Sequence, residues 1–387
     1  MKIKNILAVS AVALLGLSSC SKWTDMEIQH PMDLTKPAHT EEYYKALRDY
    51  KNSDHQLAFA YYSAWTGVGT NMQSSLMGLP DSVDLVSLWG GWKNPTEAQL
   101  KDLRMAQEKK GLKAMICFLV LDMGGGITPD PTDAEKAALK EGESWTHKYW
   151  GWSKEQTEAG KAARRAAVVK YANAICDVID KYGYDGFDID AEPNYPHPFK
   201  TDYELWNTDR DRETGVSTLM TLFIETLGKR IGPMAETEAG RKKILAVDGE
   251  PDALPPTHAK YFNYFIIQAY SNSVGYNNGH FQGMLRVYKD VLSAEEICKK
   301  SIFVVNFESG ATRGGEVGLG QILNFALQNP VVDGVTYRKG GVGAFRVDLE
   351  YAVSTPEVVN GIDMSPVKGL SYPWWRRAIQ LMNPIIK

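Results

Sequence analysis

The stretch Lys181 to Pro193 reads KYGYDGFDIDAEP, and its alternation decides the architecture. With the two-residue period of a strand, Phe187, Ile189 and Ala191 share one face while Asp188, Asp190 and Glu192 share the other. The apolar face asks for a cover of helices, so the three acids point into the interior of the sheet. Just upstream, Ala159 to Tyr182 has helical spacing, with Ala163, Val168, Ala172, Ile175, Val178 and Ile179 on an inward stripe and Gly183 as its C-cap. A helix feeding straight into a covered strand is one α/β repeat.

Seven further runs of the same kind follow from about His55. All eight are Leu57 to Tyr62, Leu85 to Trp89, Ala114 to Leu121, Gly186 to Asp190, Ile244 to Val247, Tyr264 to Tyr270, Ser301 to Asn306 and Gly341 to Val347. Continuous apolar runs separated by helical stretches predict parallel strands covered on both faces. The expected fold is α/β, a (β/α)8 TIM barrel forming a single catalytic domain over residues 54–387, with its site at the C-terminal strand ends. The competing fold is a doubly wound open sheet. The turn after the first strand, Ala64-Trp65-Thr66-Gly67-Val68-Gly69, lacks the glycine fingerprint a dinucleotide-binding sheet would carry. The longest irregular stretches, Asp122 to Glu155 and Pro193 to Thr214, flank strand four and predict a cleft there.

Three acids about 6 to 7 Å apart along one strand face do not all ionise in a confined cleft. At least one carboxyl is pushed toward its protonated form, which is what a general acid at neutral pH requires. Glu192, at the C-terminal end of the run, is placed for that role. A calcium loop would need glycine-turn spacing that this stretch lacks.

The chain has 387 residues, with 43 Lys and Arg against 47 Asp and Glu, a net charge of -4. No basic excess exists to contact phosphates, so a nucleic-acid partner is not expected. Lys2 and Lys4 precede an apolar run, Ile6 to Leu17, too short to remain as a spanning helix. The run ends in Leu17-Ser18-Ser19-Cys20, which resembles the lipobox of bacterial lipoproteins. That resemblance implies a signal peptide over 1–19, lipidation of Cys20 and a membrane anchor, with residues 20–53 as a tether. Acidic Asp25 and Glu27 resemble the export signals of surface lipoproteins in glycan-foraging Gram-negative bacteria, which implies an outer-membrane, outward-facing protein. Cys117, Cys176 and Cys298 sit among apolar neighbours and are expected as buried free thiols.

Asp185, Asp188, Asp190 and Glu192 together match DxxDxDxE, and the strand-four region resembles glycoside hydrolase family 18 on that motif. The resemblance extends to Gln268-Ala269-Tyr270 on strand six and covers the chain from Gln56 onward. It implies substrate-assisted retention: Glu192 protonates the glycosidic oxygen and the substrate's 2-acetamido carbonyl attacks the anomeric carbon. It further implies that Asp190 orients the acetamido group, Asp188 shares a proton with Asp190, and Tyr270 hydrogen-bonds the acetamido oxygen. Gln268 would line the subsite floor, and Asp185 would support the substrate site by holding the strand-end loop. No cofactor and no metal are implied.

Within that family the short connection Phe307 to Gly340 leaves no room for the extra α+β domain of many chitinases. This points to an endo-β-N-acetylglucosaminidase acting on the chitobiose core of N-glycans. The partners expected are an N-glycan or glycoprotein and glycan-uptake proteins at the cell surface. A chitinase and a non-catalytic surface glycan-binding protein are the alternatives. Among Trp89, Trp92, Trp145, Trp150 and Trp152, Trp89 stands directly at a strand end and is the candidate sugar platform. Many family members place a Trp on strand eight, whereas this chain reads Gly343-Ala344-Phe345-Arg346-Val347-Asp348. Phe345 is the substitute platform, and Arg346 faces either a glycan or an ion pair with Asp348 or Glu350. His197 and His280 are read as loop histidines without a catalytic role.

Overall fold

A computed structural model describes residues 39–197, 202–272 and 276–384. The expected leader over 1–19, Cys20, Asp25 and Glu27 lie outside the described residues.

Eight parallel strands close into a barrel: β1 (Leu57–Tyr62), β2 (Leu85–Leu88), β3 (Lys113–Leu119), β4 (Gly186–Ala191), β5 (Ile244–Gly249), β6 (Tyr264–Gln268), β7 (Ser301–Asn306) and β8 (Gly341–Phe345). They pair in the circular order β1-β8-β7-β6-β5-β4-β3-β2, and β1 closes on β8 with Ala60 in register with Ala344. All eight expected strands are present. Two boundaries moved in ways that matter. β5 runs on to Gly249, past the expected end at Val247, and β8 stops at Phe345 because Arg346 takes φ 55° and opens a short helical turn.

The period-two reading of the interior holds. Phe59, Tyr61, Met115, Cys117, Ile244, Ala246, Ile266, Ile302 and Val304 pack inside the barrel. Ala58, Ala60, Tyr62, Phe187, Ile189 and Val247 face outward and join the layer between strands and helices. The helix before β4 spans Glu158–Tyr182; Thr157 accepts from the Gly160 amide at its start, and Gly183 at φ 63° closes its end.

The segment expected to be a tether up to residue 53 contains a helix, Glu41–Lys51. The Thr40 side chain caps it, Tyr44 is fully buried, and Arg48 donates to the Glu108 and Lys109 carbonyls at 3.1 and 2.8 Å. Acidic residues in its first turn and basic ones in its last complement the helix dipole. One buried side chain leaves too weak an apolar period to read in the sequence.

Candidate active site

At the C-terminal end of the barrel lies a cavity of about 320 Å³ lined by Tyr61, Trp89, Leu119, Asp190, Glu192, His197, Asp248, Gln268, Tyr270 and Phe345. Trp89, Asp190, Glu192, Gln268, Tyr270 and Phe345 were all candidates from the sequence. Asp188 sits one layer below, fully buried, where the Ser87 hydroxyl donates to its Oδ2 at 2.6 Å.

Glu192 follows the last residue of β4. Its Oε1 accepts from Gln268 Nε2 at 2.9 Å, and His197 Nε2 lies 3.4 Å from Oε2 without a hydrogen bond. Gly249 makes this placement possible. At φ +79° it sits beside Glu192, and a Cβ there would lie 2.5 Å from the Ala191 carbonyl oxygen and 2.8 Å from Glu192 Cγ. Beyond it, the buried Glu250 accepts from both the backbone and the side chain of Asn194 at 3.0 and 2.8 Å, pinning the segment after Glu192.

The expected crowding of acids is present, with one more member than the sequence reading named. Asp248, on β5 and in register with Asp190, is buried beside Asp188 and Asp190. Burial first, then the neighbouring Asp248, pushes Asp188 well above the usual carboxylate range. Burial and Glu192 do the same to Asp190, and burial and Asp190 to Asp248. Gln268 Nε2 also donates to Asp248 Oδ1 at 3.0 Å, so one amide nitrogen ties Asp248 to Glu192.

Asp248 stands in register with Asp190 across β4 and β5, a neighbouring carboxyl beside the Asp188 with which the resemblance implied proton sharing. Cross-strand partners stand closer than residues two apart on one strand. The signal for Asp248 was there, since Ile244 and Ala246 face inward and Asp248 is next in that series. Tyr61, a further residue the sequence reading passed over, is buried against Asp188 and Asp248.

Cys117 Sγ, Asp188 and Asp248 offer ligand atoms within 4.8 Å of one another. Burial pushes the Cys117 thiol up and holds the two acids toward neutrality.

An aromatic wall closes the other side. Phe345 meets Tyr61, Trp89 and Tyr270 at ring-centroid distances of 5.9, 6.3 and 5.8 Å, and Trp89 remains 37% exposed. Burial keeps Tyr270 protonated, hence a hydrogen-bond donor. Trp92 stacks on Phe118 in the core and Trp150 is buried, so neither is a platform. Arg346 pairs with Glu308 and Asp348 at 3.2 and 3.4 Å, and Glu350 instead accepts from the Trp374 and Trp375 amides.

Asp185 does not belong to the site. It precedes β4 at the opposite end of the barrel, roughly 20 Å from Glu192 at about 3.3 Å per residue. There its Oδ2 accepts from Gln107 Nε2 and the Ala114 amide at 2.7 and 2.9 Å, tying β3 to β4.

The two long stretches flanking β4 are clamped by one buried guanidinium. Arg164 bonds both carboxylate oxygens of Asp209 at 2.7 Å and the carbonyls of Ser153 and Glu155 at 2.9 and 2.7 Å. The connection from β7 to β8 holds a helix, Gln321–Leu327, and a small hairpin, as its length implied.

The model of glycoside hydrolase family 18, BT1044-like, matches residues 21–360. The chain belongs to glycoside hydrolase family 18. A solved structure of a glutamate-to-glutamine variant of BT1044 is similar with a TM-score of 0.67 at 32% identity, covering 91% of this chain and 97% of that one. Endo-β-N-acetylglucosaminidase F2 of Elizabethkingia meningoseptica is 23% identical over 348 residues, 87% of this chain and 84% of the relative. An endo-β-N-acetylglucosaminidase variant from Cordyceps militaris, in complex with fucosyl-N-acetylglucosamine-Asn, shares the fold. Its TM-score is 0.54 at 19% identity, covering 90% of this chain and 98% of that one. This family 18 chain is therefore a glycoside hydrolase on a single (β/α)8 barrel.

Proposed function

We propose that the protein is a retaining, substrate-assisted endo-β-N-acetylglucosaminidase that cuts the β-1,4 bond of the N,N'-diacetylchitobiose core of N-glycans. The observation that carries this reading is the placement of the carboxyls around the cavity. Asp190 and Asp248 are buried and held toward neutrality, which makes them poor nucleophiles, while Glu192 stands at the mouth with Oε1 engaged by Gln268. Glu192 Oε2 is then the atom that gives a proton to the leaving oxygen. The acetamido carbonyl of the sugar in the cavity attacks its own anomeric carbon, with Asp190 receiving the acetamido N–H and Tyr270 donating to the carbonyl oxygen. Glu192, now ionised, takes a proton from the water that opens the oxazolinium, and the anomeric configuration is retained. Trp89 and Phe345 supply apolar faces for the sugar rings.

The N-glycan assignment draws on the two relatives named endo-β-N-acetylglucosaminidases and on the compact β7 to β8 connection. We further propose that Cys20 is lipidated and anchors the enzyme at the outer membrane, facing outward, where glycan-uptake proteins would take the product.

The test is to incubate soluble protein beginning after Cys20 with a panel of N-glycoproteins and a chitin oligomer, and to weigh the products. Release of a glycan that leaves one N-acetylglucosamine on Asn is the expected result. Cleavage of chitin alone would make it a chitinase, and binding without cleavage a lectin. Glu192→Gln is expected to lose about 10²- to 10⁴-fold in kcat while still holding substrate. Equal activity of the variant and the wild type would sink the mechanism.

A further inference from the structure

We propose that Asp248 is a positioning residue of this site, a carboxyl that keeps its proton, bridges Asp188 and Asp190, and is joined through Gln268 to Glu192. The inference rests on the substrate-assisted reading above.

Two orphaned atoms point to it. Asp188 Oδ1 and Asp190 Oδ1 are both buried without an N–H or O–H donor. A buried acceptor left without a donor is destabilising, and native interiors seldom tolerate one. Both residues are nevertheless neighbours of Asp248: Asp190 is in register with it across β4 and β5, and a carboxyl oxygen of Asp188 lies within 4.8 Å of one of Asp248. Two carboxyl oxygens can meet favourably only when one carries a hydrogen, since an ionised carboxylate is an acceptor alone.

The surroundings favour a neutral acid at Asp248. It is almost fully buried, its Oδ1 accepts from Gln268 at 3.0 Å, and the weak thiol donor of Cys117 lies 3.6 Å from its Oδ2. No Lys, Arg or His among the described residues forms an ion pair with Asp188, Asp190 or Asp248 within 4.0 Å that would stabilise three negative charges here. A proton held at Asp248 is donated to one of these two oxygens at a time, and donated to Asp190 it fixes the rotamer of that residue.

That rotamer matters because the other oxygen of Asp190 is the one left to face the sugar in the cavity. Gln268 extends the same row to Glu192. Asp190 and Glu192, the two carboxyls that touch substrate, are thus oriented through one residue that does not.

The test compares Asp248→Ala and Asp248→Asn on a glycopeptide that the wild type cleaves. The alanine variant is expected to lose about 100-fold in kcat with KM nearly unchanged, the size associated with misplacing a reacting group. The asparagine amide donates as the acid does, and this variant is expected to recover at least about tenfold of that loss. An alanine variant with kcat within about tenfold of wild type, or an asparagine variant no better than alanine, overturns the proposal.

A measurement that needs neither activity nor the alanine variant is infrared difference spectroscopy of Asp248→Asn against wild type at neutral pH. Loss of a neutral-acid carbonyl band is expected, and loss of carboxylate bands instead overturns the proposal. A fully active Glu192→Gln would sink the parent mechanism. An inactive Glu192→Gln beside an unaffected Asp248→Ala would sink only this inference.

Discussion

Gly249→Ala places a methyl group where the structure has no space for one, directly beside the proposed acid. The new Cβ would lie 2.5 Å from the Ala191 carbonyl oxygen and 2.8 Å from Glu192 Cγ. Restoring an ordinary contact of 3.4 Å requires these groups to move apart by about 0.6 to 0.9 Å. Overpacking of this kind costs about 1 to 3 kcal/mol, and a left-handed alanine about 1 to 2 kcal/mol more. The reduced entropy of the unfolded chain offsets about 0.4 to 1 kcal/mol, leaving a net loss of about 1 to 4.6 kcal/mol.

The catalytic consequence is separate from the stability loss. A shift of Glu192 approaching 1 Å is expected to lower kcat by about 10- to 100-fold, with KM little changed because the aromatic wall is untouched. Urea unfolding and steady-state cleavage of a glycopeptide measure the two effects. Gly279→Ala is the control: it begins a helix, with nothing within 4 Å of its added Cβ. A Gly249→Ala enzyme with unchanged midpoint and kcat within twofold of wild type would refute the assignment of Glu192's position to this close approach.

Trp89→Ala is expected to raise KM about 3- to 10-fold with kcat largely kept, as loss of one stacking face worth about 0.5 to 1.5 kcal/mol implies; unchanged KM across glycans would remove Trp89 from the site. Asp185→Ala should destabilise by about 1 to 3 kcal/mol through the freed Gln107 and Ala114 donors yet leave kcat intact, so a large kcat loss without destabilisation would contradict its placement at the far end of the barrel. Glu350 is fully buried and pushed well above its usual range by that burial, and its Oε2 has no partner. Its folded-state pKa is raised, so its contribution to stability is full below the unfolded carboxylate range and declines as pH rises toward the folded value, at about 1.4 kcal/mol per pH unit. Glu350→Gln should therefore match wild type at pH 4 and flatten that decline in urea titrations up to pH 8; a steeper decline in the variant would mean that Glu350 is ionised in the fold.

Much of the barrel was legible because strands and helices write their periods into the order of residues. Leu57–Tyr62 and Ser301–Asn306 were readable to the residue, and DxxDxDxE named Asp188, Asp190 and Glu192 before any geometry. Asp248 was missed because an acid closing an apolar run reads as the start of a turn, although its parity with Ile244 and Ala246 continues into the barrel. Asp185 was misplaced because motif spacing does not say how far a strand end lies from the chemistry. The helix Glu41–Lys51 went unread because it buries a single side chain, Tyr44.

The sequence by itself determined which side chains point inward, since the face a residue occupies on a strand follows from local backbone geometry alone. Only the tertiary structure decided which inward carboxyls meet. Barrel closure sets the stagger between neighbouring strands, and that stagger brought Asp248 beside Asp190 and put Gln268 within reach of Glu192. It also separated Trp89, in the cavity, from Trp92, in the core, because the difference between a sugar platform and a packed side chain lies in what covers it.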